Sequence, residues 1–162
     1  MSDHRKILEA ALRRALIGEG AHVEAKNVLD GVDWSIAGTR PEGAPHSIFQ
    51  LLNHLIYWQD WVVSWLDGDD PPIPEHAGGS WLGVEGPENA IAWEKAVRQF
   101  VEGLERLSCQ VAEADLFTKA DRTSRMEMLH TIASHNGYHL GQVVMLRQML
   151  GAWPPPSGGL TW

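Results

Sequence analysis

The chain has little cysteine, few basic residues and no long apolar run. Its single cysteine, Cys109, cannot form an intrachain disulfide, so we expect a reducing compartment such as the cytoplasm. Its longest apolar runs are far too short to cross a bilayer, so we expect no membrane-spanning segment. The formal net charge is −8 and lysine and arginine form no cluster, which argues against nucleic acid and anionic membrane surfaces as partners. What remains is a globular protein of ordinary apolar content, and its 162 residues suit a single domain over positions 1–162.

Apolar residues recur at helical spacing in four segments. The spacing predicts helices over about 3–29, 47–67, 87–114 and 124–150, with a weak point at Gly18 and Gly20 in the first. Residues 30–45 and 67–87 are rich in glycine and proline and are predicted to be loops. Cys109 lies in the third helical pattern and is predicted to be a small packing residue. Since no convincing strand alternation occurs, the sequence predicts an all-α bundle of four helices.

Two of the predicted helices carry recognisable end signals. The second begins near His46 or Ser47 and ends near Gly68. The fourth opens at Ser124, three residues before a glutamate that fits a capping box, and stops at a glycine followed by a proline run. The tail beyond is too apolar for a solvated terminus, so we expect Trp153 and Trp162 to pack on the body or on a second subunit.

Two histidines lie four residues apart in the fourth predicted helix. His135 and His139 therefore share one helical face, and apolar residues surround them on it. A neutral histidine that faces a core needs a partner for each ring nitrogen. One metal ion bound by both rings is one interpretation, and two separately hydrogen-bonded core histidines are the other.

The second predicted helix carries a third histidine followed by aromatic residues. Trp58, Trp61 and Trp65 follow His54 at i+4, i+7 and i+11, so all four side chains share one side of the helix. The tryptophans alone fit a packed core. Because they lie beside a histidine, the same three rings could instead line a substrate cavity.

The histidine motifs together resemble those of a known family. Asn53-His54-Leu55, followed much later by His135-Asn136-Gly137-Tyr138-His139, is similar to the pattern of the DinB/YfiT-like superfamily of metal-binding four-helix bundles. The resemblance covers essentially the whole chain. It implies a mononuclear divalent metal held by His54, His135 and His139, and it makes a homodimer plausible.

Three neutral imidazoles leave a metal ion its full charge and at least one open coordination position. Zinc or nickel is the metal expected first, and iron, manganese and cobalt are alternatives. Further side chains are expected to orient the rings. The candidates, each of which also fits a surface amide, are Gln50, Asn53, Asn136 and Gln142.

Three functions fit these features. Relatives in the superfamily look like thiol-dependent transferases and isomerases that use bacillithiol, mycothiol or glutathione, which implies a metal-dependent enzyme acting on small molecules with a low-molecular-weight thiol. The second is metal-dependent hydrolysis by bound water, for which a general base is needed. The third is a non-catalytic metal-binding or stress-response protein. For the hydrolase, the acidic residues that could act as the general base are Asp60, Glu75, Glu85 and Glu88.

Overall fold

Six α-helices make up most of the structure. The computed structural model describes residues 3–113, 115–120 and 123–158. The helices are α1 (Asp3–Ile17), α2 (Ala25–Val28), α3 (Trp34–Gly38), α4 (Ile48–Asp67), α5 (Ala90–Glu113) and α6 (Arg125–Met149), and a 3₁₀-helix spans Ala77–Ser80.

The four long helices α1, α4, α5 and α6 form a bundle. Helix α4 packs against α5 and α6, and α1 packs against the same two helices from the opposite side. This arrangement places α4 and α6 side by side, so residues on their facing sides meet in the interior. The predicted all-α four-helix bundle is confirmed.

Helices α4 and α6 begin and end where their capping residues predicted. Ser47 and Gln50 form a capping box at the start of α4, and Gly68 ends this helix in the left-handed region with φ of 100°. Ser124 and Glu127 form the second capping box at the start of α6. Local hydrogen bonds therefore fix both ends of α4 and the start of α6. The positions of His54, His135 and His139 along these helices follow from those ends.

The first helix is shorter than its apolar spacing predicted. Helix α1 ends at Ile17 instead of continuing to residue 29, because Gly18 and Gly20 both adopt φ of 80°. The weak point at these two glycines is therefore an end of the helix, and only the short helix α2 continues the helical pattern beyond it.

Two other boundaries also differ from the prediction. Helix α3 lies in a segment predicted to be a loop, where the Asp33 carboxylate accepts hydrogen bonds from the backbone N–H groups of Ser35 and Ile36. Helix α5 begins at Ala90 instead of near residue 87, because the side chain of Asn89 accepts a hydrogen bond from the N–H of Ala92.

Two smaller predictions were wrong. Two-residue strands β1 (Lys119–Ala120) and β2 (Thr123–Ser124) pair antiparallel just before α6, although no strand was predicted. Cys109 is exposed and does not pack in the core, because α5 buries Leu107 and Val111 on the opposite side of the helix.

The core has two apolar clusters stacked along the bundle. Trp153 of the tail packs against the first, as predicted, while Trp162 lies outside the described residues. None of the described helices is both long enough and apolar enough to cross a membrane. Members of the first cluster include Leu52, Leu55, Phe100, Leu140 and Val143, and those of the second include Leu16, Val62, Leu66, Leu107, Leu129 and Ile132.

Candidate metal centre

The structure brings three distant histidines together between α4 and α6. His54 lies in the middle of α4, and His135 and His139 occupy successive turns of α6. His54 and His139 are 6% and 8% exposed, and His135 is partly buried. One ring nitrogen from each residue lies within 4.8 Å of the other two. Three potential ligand atoms therefore converge on one point in a largely dry environment.

Hydrogen bonds to the protein fix the orientation of two of these rings. Nδ1 of His139 lies 2.7 Å from Oε1 of Gln142, and Nδ1 of His54 lies 3.3 Å from the carbonyl oxygen of Ser80. Because both partners are acceptors, each Nδ1 carries the proton and each Nε2 keeps a lone pair. Nε2 of His54 lies 3.2 Å from Nε2 of His135. Nε2 of His54 and Nε2 of His135 therefore face each other between the two helices.

Burial keeps the three imidazoles neutral at physiological pH. It lowers the pKa of His54 to about 4, and the neighbouring rings of His139 and His135 add to this effect. It also lowers the pKa of His135 to about 4, again with a contribution from His139. The pKa of His139 is lowered by burial as well, although its hydrogen bond to Gln142 opposes the change. Neutral imidazole is the form that binds metal ions.

The indole ring of Trp81, which was not predicted as a site residue, covers one side of this centre. Trp81, which follows the 3₁₀-helix, stacks on His54 with ring centroids 3.9 Å apart and planes 8° from parallel. His46 stacks on the opposite face of Trp81 at 3.7 Å. The loop between α4 and α5 thus supplies both a stacking ring and the Ser80 carbonyl to His54. The one sequence feature that could have indicated this role is the large aromatic side chain of Trp81 directly after the small residues 78–80.

The three predicted tryptophans of α4 all pack against the second core cluster but differ in how near they lie to the histidines. Trp58 makes edge contacts with His54 and with His135, both at 6.4 Å between ring centroids. Trp58, Trp61 and His135 line a cavity of about 200 Å³. Trp65 packs against the second core cluster and is not part of this cavity.

The amide side chains predicted to orient the rings have different roles. Gln142 accepts the hydrogen bond from His139, whereas Gln50 belongs to the capping box of α4 and Asn53 donates to the carbonyl of Phe49. Gln50 and Asn136 are buried, so the surface interpretation was wrong for both.

The acidic residues considered as general bases lie on the surface. Asp60 pairs with Arg106 of α5, and Glu85 pairs with Arg40. Glu75 and Glu88 are exposed as well. In the described part of the chain, the cluster of metal-ligating side chains at this point consists of the three histidines.

Comparison with known proteins agrees with the histidine pattern. A model of the DinB superfamily matches residues 19–143, which is well over half of the chain and includes all three histidines. The chain belongs to the DinB superfamily. No curated protein and no solved structure matches it.

The donor set of this DinB-superfamily chain fits a divalent metal ion. Zinc-bound imidazole nitrogens lie about 2.0–2.1 Å from the metal, which separates two tetrahedral ligands by roughly 3.3 Å. The 3.2 Å between Nε2 of His54 and Nε2 of His135 is close to that value. Two of the rings also donate the N–H of Nδ1 to a carbonyl or amide oxygen and leave Nε2 for a metal, as metal-bound histidines commonly do. The three residues could therefore hold a divalent ion.

Proposed function

We propose that the protein is a metal-dependent enzyme that acts on small molecules, with His54, His135 and His139 as the ligands of one divalent ion. The convergence of three neutral imidazoles, with no carboxylate or thiol among them in the described residues, carries this proposal. Catalytic metal sites typically use three protein ligands, whereas structural zinc sites are closed by four. A bound divalent ion would supply positive charge that stabilises the anionic form of a coordinating thiol or water.

The protein's own residues would bind the ion and keep it accessible. Ser80 and Gln142 hold the proton of two imidazoles on Nδ1, so that Nε2 is free for the metal. Trp81 covers one face of His54 by stacking, and Trp58 contacts the same ring edge-on. Zinc and nickel are the metals proposed first, because imidazole suits both.

A thiol-dependent transferase or isomerase is favoured over a hydrolase. Activation of water generally needs a general base close to the reacting atom. The carboxylates of Asp60 and Glu85 are instead engaged with arginines at the surface. A thiol has an ordinary pKa near 8.5, and a nearby positive charge alone is enough to ionise it. We therefore propose a low-molecular-weight thiol as the second reactant.

The metal centre is tested by metal content and affinity. Purified protein is stripped with a chelator, reloaded with Zn²⁺ or Ni²⁺, and its dissociation constant is measured by chelator competition. We expect one ion per chain. His135→Ala should lose more than about a hundredfold in affinity, because loss of a ligand should cost more than the roughly 10–100-fold caused by loss of a group that hydrogen-bonds to a ligand. His130→Ala is the matched control, because His130 is exposed on the same helix. A metal-free wild type that cannot be reloaded would contradict the proposal.

The reaction type is tested separately. Electrophilic substrates are incubated with bacillithiol, mycothiol or glutathione, with and without chelator, and ester and amide libraries are incubated without thiol. Metal-dependent turnover only in the presence of a thiol is the expected result. Turnover without thiol would favour the hydrolase. Loss of metal in the histidine variants without any detectable wild-type reaction would favour a non-catalytic metal-binding protein.

A further inference from the structure

The cavity beside His135 has a shape and chemistry of its own. We infer that it receives an uncharged, apolar group of the substrate, about the size of one aromatic ring, while another part of the same molecule binds the metal. This inference rests on the proposed function, because it takes His135 as a metal ligand. It goes beyond that proposal by assigning the substrate class.

The walls of the cavity offer almost no polar group to a ligand. Trp58 and Trp61 form an aromatic side, and Val62 and Ile132 contribute aliphatic surface. The hydroxyl of Thr131 already donates a hydrogen bond to the carbonyl of Glu127, at 2.8 Å. Since no charged side chain lines the cavity, a charged or strongly polar group would lose its hydration there without compensation.

The aromatic walls are held in place before any ligand arrives. Nε1 of Trp61 lies 3.1 Å from the carbonyl oxygens of both Pro71 and Pro72, and its N–H donates to them. The ring of Trp58 packs edge-on against Trp61 at 5.9 Å between centroids. Fixed walls reduce the entropy that is lost when a ligand binds.

The volume of the cavity limits the size of its occupant. It measures about 200 Å³. An apolar protein cavity of about 150 Å³ is known to bind benzene, so this one has room for a benzene ring with a small substituent. A larger cavity of about 350 Å³ lies near Gln142 and His46, but none of the three candidate ligands lines it.

The cavity is also close enough to the candidate metal position for one molecule to span both. His135 is one wall of the cavity, and a metal ion would lie only about 2 Å beyond its coordinating nitrogen. The ring centroid of Trp58 lies 6.4 Å from the ring centroids of both His54 and His135. A ligand with a metal-binding head and an attached ring therefore suits the site.

The test compares two probes that share a metal-binding head and differ by a ring. Binding of benzohydroxamate and acetohydroxamate to the Co²⁺-loaded protein is measured by titration of the visible cobalt absorption. We expect benzohydroxamate to bind at least about tenfold more tightly, because burial of a phenyl ring removes apolar area from water. Trp58→Ala should reduce this preference, and Trp65→Ala should preserve it.

The possible results separate the inference from the proposed function. Equal affinity for the two probes in wild-type protein would overturn the inference and leave the open metal site intact. No binding of either probe to metal-loaded protein would contradict the open site itself. Circular dichroism confirms that the Trp58→Ala variant is folded. If that variant keeps the full preference for benzohydroxamate, the phenyl ring binds outside this cavity and the inference is overturned.

Discussion

Helix α6 carries both the buried Arg147 and two of the three candidate metal ligands, and these side chains differ in how the protein hydrogen-bonds them. Arg147 is 1% exposed, and its guanidinium donates to the carbonyl oxygens of Val28 at 2.6 Å and Ala152 at 2.9 Å. The ring of Trp153 lies over the same guanidinium at 5.2 Å. Burial lowers the pKa of Arg147, and the negative charge of Asp30 opposes this change. Each of these contacts ties α6 to α2 or to the tail.

The histidines two to three turns earlier are arranged in the opposite way. His139 on α6 and its neighbour His54 on α4 use only Nδ1 in their hydrogen bonds to Gln142 and Ser80, and Nε2 of His54 faces Nε2 of His135 instead of a backbone group. Buried polar groups are normally satisfied by the protein, so a set directed at one another indicates an external partner. The comparison therefore indicates a structural role for the arginine and supports the proposal that the histidines bind a metal ion.

The largest effect is expected at the arginine. Arg147→Met removes the charge and leaves the buried carbonyl of Val28 and the partly buried carbonyl of Ala152 without their donor, so we expect the free energy of unfolding to fall by about 3 kcal/mol. The measurement is urea unfolding followed by circular dichroism. Arg98→Met, at an exposed position of α5, is the matched control and should change stability little. Loss of metal affinity in folded Arg147→Met would contradict the separation of Arg147, which stabilises the fold, from the histidines, which are proposed to bind metal.

A smaller effect is expected from pH in the metal-free protein. The pKa values of His54 and His135 are about 4 in the folded protein and near 6.5 when unfolded, so below pH 6.5 the unfolded chain binds more protons. Stability should therefore fall from pH 6.5 toward pH 4 and level off below it. Allowing for solvent screening, we expect a loss of about 2 kcal/mol between pH 7 and pH 5.

The same unfolding series on His54→Gln isolates the histidine contribution from that of the carboxylates. This variant should show about half of the pH dependence assigned to the pair. An identical slope in the variant and in wild type would show that the buried rings do not cause the effect.

The smallest effect is expected for the hydrogen bond that orients His139. Gln142→Leu removes the acceptor for Nδ1–H, so the metal affinity should fall about tenfold, or about 1.4 kcal/mol, while the fold is retained. Chelator competition measures the change. Gln148→Leu, exposed on the same helix, should bind metal like wild type. Equal affinities in the two variants would show that Gln142 does not support the site.

Local signals explain which parts of the fold the sequence predicted. Ser47, Gly68 and Ser124 act through hydrogen bonds or backbone angles near their own positions, so a reader of the sequence could locate these ends of α4 and α6. Helix α3 has only five residues and one capping aspartate, too little for a periodic pattern to appear. The early end of α1 depends on whether two glycines take positive φ, which spacing alone does not decide.

The sequence predicted which side of α4 carries the candidate site, but not how far the site extends along the helix axis. Helical spacing correctly placed His54, Trp58 and Trp65 on one side of α4. It does not say how far along the axis a site extends, and Trp65 lies about 16 Å from His54 on that axis, with eleven residues at 1.5 Å each. Trp81 reaches His54 from a loop, where no periodicity relates the two positions.

The positions of the three ligands along the chain give a bound ion a second physical effect. His54 and His135 are 81 residues apart, so a metal that joins them would close a long loop in the unfolded chain. A covalent cross-link of that span removes chain entropy worth roughly 4.5 kcal/mol. In a protein whose lone cysteine has no intrachain partner, such a cross-link would be reversible and set by metal supply instead of by oxidation.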